Sequence, residues 1–442
     1  MRINTKTLFL FFVGFCCIVF YIVFPNDNSL IYFSVFSVIT LVVVLDVLIT
    51  SYKEGCLIGF FSIANIFIFL IFIARPIQIL LSGNVNNFSV ISRYSQYYGY
   101  LNLNDLPWAK AALIGLLGVV CLNIPFFSSE SRQKFSLNNT TEFSDNYVFD
   151  KNQKTGIVLF LVFATLSAGI YLIKILRTSS LHIYDLFWVF LFSSIFVYVI
   201  SRKRKVDIWI YIIIGLSIFL LSFRGRRQYA VNMLLCYICP LYFSGKNRKK
   251  TFLKVLFMLV AVLVVVFIFG NVRRNLRGAV LQDSFFEGIL GEFSMFDMLL
   301  IALKYVKDYS IDFFYGYNYL SIFTIPISGS LIKPFDHYFT ELIYQGRFHG
   351  GIPSSLFGSL YLNFSYVGVC IGSYLVGKLL SIIQKKLSRI NDYFSIGYYS
   401  IVTTFVYDIV RVGDFGRETW SLITFLLVYF VFSFIMKKLA KD

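Results

Sequence analysis

The chain has 442 residues, of which 58% are hydrophobic and only 14% are charged. Soluble proteins carry about 25% charged residues, so the composition excludes an ordinary water-soluble protein, and it is far too apolar for a disordered chain. The net charge of +17 does not indicate nucleic-acid binding, because the cations lie in short clusters between apolar segments, which is the pattern that sets membrane topology. The sequence therefore predicts a polytopic membrane protein.

Long apolar segments recur along the whole chain and define the predicted membrane spans. A spanning helix needs about 20 mostly apolar residues. These segments are continuously apolar rather than alternating, which favours α-helices over the strands of a β-barrel. The prediction is an all-α protein with about twelve transmembrane helices in a single integral membrane domain, residues 1–442. The predicted spans are residues 7–24, 30–50, 57–81, 108–127, 156–176, 185–201, 207–223, 229–244, 255–270, 356–383, 393–410 and 419–436.

Basic clusters predict which helix ends face the cytoplasm, since Lys and Arg accumulate in cytoplasmic loops. Such clusters follow the predicted sixth, eighth, tenth and twelfth helices. Both termini and a polar loop at residues 128–155 are therefore expected in the cytoplasm. The largest segment on the opposite side is a loop over residues 271–355, between predicted helices 9 and 10.

Arginines are abundant on the predicted outer side of the membrane, although the positive-inside rule predicts few cations there. Four polar stretches there contain arginine and no lysine, whereas the cytoplasmic clusters are mostly lysine. Arginine presents a planar fork that binds phosphate oxygens through two hydrogen bonds. The pattern predicts a site for the diphosphate of a lipid-linked substrate. The alternative is pairing with lipid headgroups or with nearby carboxylates, namely Asp283, Glu287, Glu292, Asp297, Asp414 and Glu418. The arginines are Arg224, Arg226, Arg227, Arg273, Arg274, Arg277, Arg347, Arg411 and Arg417.

Two groups that can transfer protons lie among these arginines. His349 follows Arg347 closely and adjoins a Gly-Gly turn, and Asp414 lies between Arg411 and Arg417. Either group could act as a general acid or base, and a salt-bridge role for Asp414 is an equal alternative. The predicted catalytic residues are His349, Arg347, Asp414 and Arg411, and the other seven arginines are assigned to diphosphate binding. No metal site or cofactor is predicted, because the sequence has no Cys/His cluster.

Ionisable residues within the apolar segments are a further class of candidate, because charges at membrane depth are costly and mark functional sites. Arg75 and Lys110 lie near predicted helix ends, where they are expected to snorkel towards the surface. Asp408 lies three residues before Arg411 and is expected to orient it. Among the many aromatic residues, the tyrosines of the outer segment YGYNY, residues 315–319, are candidates for stacking on a ligand.

Three motifs resemble the O-antigen polymerases (Wzy), which are oligosaccharide repeat-unit polymerases of bacterial surface polysaccharide synthesis. They are SFRGRRQ at residues 222–228, PSSLFGSLYLNF at residues 353–364, and RVGDFGR at residues 411–417. The resemblance covers roughly residues 210–425. The sequence departs from the family pattern after Ile325-Pro326. The family usually has a basic residue at the next position, where this sequence has Ile327.

The resemblance implies a GT-C-like helical fold in the bacterial inner membrane with a periplasmic active site. It implies a glycosyltransferase that moves the growing chain from its undecaprenyl (polyprenyl) diphosphate to the sugar of the next lipid-linked repeat unit. The implied partners are these donor and acceptor lipids, membrane lipids and a chain-length regulator protein, with no nucleotide sugar, metal or nucleic acid. The related O-antigen ligase remains open, as does a lipid-linked oligosaccharide flippase, although transporters are typically built from repeats that this sequence lacks.

Overall fold

The computed structural model of the protein describes residues 5–23, 29–54, 58–128, 149–177, 187–202, 215, 217, 227–244, 290–310, 312–320, 322–323, 335–346, 351–387 and 393–440. Within these ranges the chain is all-α, with only short 3₁₀ and π turns between or inside the α-helices. The α-helices are α1 (Thr5–Val23), α2 (Leu30–Lys53), α3 (Phe60–Ser82), α4 (Ser89–Tyr98), α5 (Trp108–Phe127), α6 (Lys151–Arg177), α7 (Phe187–Arg202), α8 (Arg227–Ser244), α9 (Met295–Asp308), α10 (Phe335–Ile343), α11 (Ser355–Leu387), α12 (Tyr393–Val412) and α13 (Phe415–Leu439).

Ten of the twelve predicted spans coincide with helices of the structure. Among the described residues, α2, α3, α5, α6, α11 and α13 contain stretches long and apolar enough to cross a membrane, and α1 and α7 contain shorter apolar ones. The chain is therefore an all-α polytopic membrane protein. The predicted spans 207–223 and 255–270 lie outside the described residues, apart from residues 215 and 217.

The chain divides into two compact units. The first contains residues 1–136, 286–388 and 406–418, and the second contains residues 137–285, 389–405 and 419–442. In the second unit α7 packs against α6 and α8. The core of that unit is largely aromatic, as in the stacked rings of Phe190 and Phe425.

Helix α5 is the centre of the first unit, where it packs against α1, α2 and α11. Its small residues allow this packing, because a Cβ at Gly115 or Gly118 would collide with the rings of Phe72 and Phe357. Small residues at helix interfaces let neighbouring helices approach closely in membranes. Helix α5 is also tied to α3 by two reciprocal amide hydrogen bonds of 2.9 and 3.0 Å between Asn65 and Asn123.

Helix α11 is broken at Phe364 and Ser365, whose backbone angles are not helical. The break frees carbonyl groups from their intrahelical partners. The N–H groups of Phe314 and Tyr315 satisfy two of them by donating to the carbonyls of Leu362 and Asn363, at 3.2 and 3.0 Å. The segment at residues 312–320 therefore binds the broken helix at the end of its first part.

Helix α9 lies inside the segment predicted as an outer loop, yet its residues Phe296 to Leu303 are almost fully buried. Its first turn carries Asp297, which forms two hydrogen bonds with the Arg75 guanidinium, at 2.9 and 2.5 Å. Arg75 is only 3% exposed and Asp297 is fully buried. The expectation that Arg75 snorkels to the surface is therefore wrong, because its charge is neutralised inside the protein.

Candidate active site

The structure describes three of the predicted site residues with their side chains, namely Asp414, Arg411 and Arg417. Arg227 is described only as the first residue of α8. The remaining predicted site residues lie outside the described part of the chain. They are Arg224, Arg226, Arg273, Arg274, Arg277, Arg347 and His349.

The turn between α12 and α13 is pressed against the beginning of α11. Gly413 has φ +69°, a conformation that glycine adopts without strain. A Cβ at this position would meet the Ser355 carbonyl oxygen at 2.5 Å and the Cβ of Ser359 at 2.8 Å. Glycine is therefore required here for both reasons, and it brings the RVGDFGR turn against the PSSLFGSLYLNF stretch.

Asp414 follows this glycine and caps the first turn of α13. Its Oδ1 accepts hydrogen bonds from the backbone N–H groups of Gly416 and Arg417, at 3.0 and 3.3 Å. Carboxylates are favoured at helix N-termini because they satisfy N–H groups that have no intrahelical partner. The other oxygen, Oδ2, is buried and has no hydrogen-bond partner among the described residues. One half of the carboxyl group is thus fixed, and the other half is open to a donor.

Two further carboxylates share the guanidinium of Arg417. Its Nη1 lies 3.3 Å from Oδ2 of Asp336, in the first turn of α10, and its Nε lies 3.0 Å from Oε1 of Glu418. Both carboxylates are nearly fully buried. We call Asp336, Asp414, Arg417 and Glu418 the carboxylate cluster. Arg417 therefore pairs with carboxylates, as in the alternative to diphosphate binding, and its role towards a substrate stays a prediction.

The electrostatics of the carboxylate cluster favour a proton on Asp414. Burial is the main cause and raises the pKa of Asp414 to about 7. The Arg417 guanidinium lowers this pKa, while the negative charges of Asp336 and Glu418 raise it further. Asp414 therefore exchanges a proton close to neutral pH, which is the property required of a general acid or base.

Hydroxyl groups and a close backbone segment border the carboxylate cluster. The Tyr319 hydroxyl lies 3.3 Å from the Ser359 Oγ, and its ring contacts Phe415 edge to face at 5.4 Å. Burial raises the pKa of Tyr319 to about 12, so its phenol is a neutral donor at physiological pH. The backbone at Gly351 approaches so closely that a Cβ there would collide with the Asp336 carboxylate.

Arg411 is separate from these ion pairs. It is half-buried, and its guanidinium carbon lies 5.9 Å from the centroid of the Tyr407 ring. Among the described residues it has no carboxylate within ion-pair distance, so its charge is available to an anion. Asp408, expected to orient Arg411, is buried on α12.

Sequence reasoning missed Asp336, which is the partner that brings α10 to the carboxylate cluster. Its local signal is weak, since an acidic residue in the first turn of a helix is common. Its pairing partner lies 81 positions further along the chain. Proton exchange and anion binding are what this arrangement can perform. Among the described residues, no group of three or more His, Cys, Asp or Glu side chains could hold a metal ion.

Comparisons with family models, with curated proteins and with solved structures return no significant match to this chain.

Proposed function

We propose that this protein is a membrane glycosyltransferase that polymerises undecaprenyl-diphosphate-linked oligosaccharide repeat units into surface polysaccharide. The growing chain is transferred from its lipid diphosphate to the terminal sugar of the next lipid-linked unit. The reaction takes place at the periplasmic face of the inner membrane, within a fold of the GT-C type with about twelve spans.

The observation that carries this proposal is the contact between two segments that the resemblance selects independently. Gly413 of the RVGDFGR turn packs on Ser355 and Ser359 of the PSSLFGSLYLNF stretch. Asp414 of the same turn offers a proton acceptor, and Arg411 offers a cation that has no carboxylate partner among the described residues. A transfer from a sugar diphosphate to a hydroxyl needs both of these chemical functions.

The roles of the residues follow from the bonds that change. The acceptor hydroxyl attacks the anomeric carbon of the donor, the carbon–oxygen bond to the diphosphate breaks, and the diphosphate leaves with its lipid. Asp414 Oδ2 takes the proton of the hydroxyl. Arg411, together with arginines outside the described residues, neutralises the charge that develops on the diphosphate. Arg417 holds the carboxylates of Asp336 and Glu418 beside Asp414 and offsets part of their negative charge.

The proposal is tested in a strain that lacks this gene, by resolving its surface polysaccharide by length on a gel. If the protein is a polymerase, the deletion strain is expected to show lipid core that carries a single repeat unit, without a ladder of longer chains. Bare core with lipid-linked polymer accumulating would make the protein a ligase. Bare core with lipid-linked units trapped on the cytoplasmic side would make it a flippase.

Complementation with single variants tests the site. Asp414→Asn keeps the shape and capping bonds of the side chain but removes its ability to accept a proton, and Arg411→Gln removes the anion-binding charge. Both are expected to abolish the ladder at normal protein level, as are Arg347→Ala, Arg274→Ala and His349→Ala. Asp312→Asn is the matched control, because Asp312 is an exposed carboxylate of the predicted outer segment. A full ladder with Asp414→Asn would exclude Asp414 as the base.

A further inference from the structure

Six tyrosines form one cluster in the first compact unit, contributed by α4, by the end of α9 and by the residue after α10. Neighbouring rings have centroids 4.4 to 6.5 Å apart. Such offset and edge-to-face arrangements are favourable for aromatic pairs. We call this group the tyrosine cluster, and its members are Tyr94, Tyr97, Tyr98, Tyr305, Tyr309 and Tyr344.

Hydrogen bonds fix the rings of the tyrosine cluster in place. The Tyr98 hydroxyl donates to the carbonyl of Ile343 at 2.6 Å, and the Tyr344 hydroxyl donates to the carbonyl of Val90 at 3.0 Å. Ile343 ends α10, so the first of these bonds satisfies a carbonyl without an intrahelical partner. The rings are thus preorganised, and a ligand that stacks on them would not have to order them.

The cluster is exposed along one border. Tyr94 and Tyr344 are almost fully buried, whereas Tyr309 is 52% exposed. The exposed side chains next to the cluster in sequence are mostly polar, namely Gln96, Lys307, Asp308, Ser310 and Gln345, and Tyr100 is the aromatic exception. A surface that faced acyl chains would be apolar, and the aromatic belts of membrane proteins follow the whole circumference. The border of the tyrosine cluster therefore faces water.

The aromatic residues of the tyrosine cluster are all of one type. The chain contains 51 Phe and 30 Tyr, yet each of these six ring pairs joins one tyrosine to another. An aromatic core that needed only apolar volume would use phenylalanine as well. Tyrosine offers an apolar face with a polar tip, which suits a ligand with apolar C–H faces and many hydroxyl groups.

We propose that the tyrosine cluster is a binding platform for the saccharide chain, outside the carboxylate cluster. The sugar rings stack on the exposed Tyr309 ring, and the polar side chains of Asp308, Lys307 and Gln345 form hydrogen bonds with their hydroxyls. This inference rests on the proposed function, which supplies the saccharide. Its consequence is that the growing polymer is retained between successive transfers.

Binding is measured directly with the full-length protein in lipid nanodiscs. The probe is polysaccharide freed of its lipid by mild acid, taken from the wild-type strain. Tyr309→Ala is expected to weaken binding about tenfold, the change that corresponds to the loss of one stacking contact of about 1.4 kcal/mol. Tyr309→Phe keeps the ring and is expected to retain most of the affinity. Tyr52→Ala is the matched control, because Tyr52 is 54% exposed on α2.

Two results would overturn the platform: no binding by the wild-type protein, or equal binding by Tyr309→Ala. In cells, Tyr309→Ala is expected to shorten the polysaccharide ladder without removing it, while Tyr52→Ala leaves its length unchanged. The proposed function fails separately, if the deletion strain keeps its ladder. In that case tight, Tyr309-dependent binding would still establish a saccharide site.

Discussion

The buried ion pair between Arg75 and Asp297 provides a strong test of how α9 is held. Asp297→Asn keeps the volume of the side chain and removes only its charge. Arg75 would then keep only neutral partners: the amide oxygen at position 297, Oε1 of Gln78 at 2.7 Å from its Nη1, and the ring of Phe88 at 4.6 Å. Its cation would be left in a site that is 3% exposed, without a counter-charge.

The expected cost is about 3–5 kcal/mol, which is the penalty for breaking a buried pair by removing one partner. Arg75→Gln is expected to cost a similar amount, because it leaves the Asp297 carboxylate unpaired. The double variant Arg75→Gln/Asp297→Asn carries two neutral amides that can bond each other, so it is expected to be more stable than either single variant. The coupling between the two positions is thus large and favourable.

Thermal unfolding of the purified protein in detergent gives the order of stabilities. The control is Asp308→Ala, which breaks an exposed pair on the same helix, where Lys304 lies 3.0 Å from Asp308. Exposed pairs of this spacing contribute about 0.3–0.5 kcal/mol. The reasoning is refuted if Asp297→Asn lowers the midpoint no further than Asp308→Ala, or if the double variant is less stable than both singles.

Three further outcomes are expected. Burial raises the pKa of Asp414 in the folded state to about 7, so between about pH 4 and 7 the folded state binds more protons than the unfolded state, and stability falls as pH rises through this window. Asp414→Asn should remove that decline. A wild-type unfolding midpoint that rises from pH 4 to 7 would contradict the assignment. Gly377→Ala should destabilise the protein by about 1–3 kcal/mol, because the added Cβ would collide with the backbone carbonyl of Leu122. Gly169→Ala is the control in the same unfolding assay: its added Cβ meets nothing within 4 Å, so the variant should be as stable as the wild type or more stable. Direct displacement should invert the anomeric configuration of the donor, and retention in the purified polymer would exclude it.

The apolar spans could be predicted because a run of about 20 apolar residues has few stable solutions in a bilayer. The predicted span 108–127 has the bounds of α5. The turn with Asp414 was also readable, because an acidic residue among glycines and arginines is a strong local pattern. The predicted roles of the arginines outside the described residues remain predictions.

The rest of the first unit depends on pairings that are distant in sequence. Helix α9 has 14 residues, with an apolar stretch between Asp297 and Lys304 that is too short to be read as a membrane span. It is buried because Arg75, 222 positions away, neutralises that aspartate. Asp336 was missed for the same reason, since its partner Arg417 lies far along the chain. A local sequence pattern does not show that a charged residue will be neutralised by a residue of another helix.

The break in α11 fixes the depth of the carboxylate cluster in the membrane. At about 1.5 Å per residue, residues 366–387 extend for about 33 Å, and the hydrocarbon layer of a bilayer is about 30 Å thick. The second part of α11 can therefore cross the layer alone, with Lys385 and Lys386 in its last turn. The first part, which begins at Ser355, is left at the opposite boundary with water. In the proposed reaction, this arrangement would let a hydrophilic acceptor sugar reach Asp414 without entering the hydrocarbon, while the lipid tail of the donor stays within it.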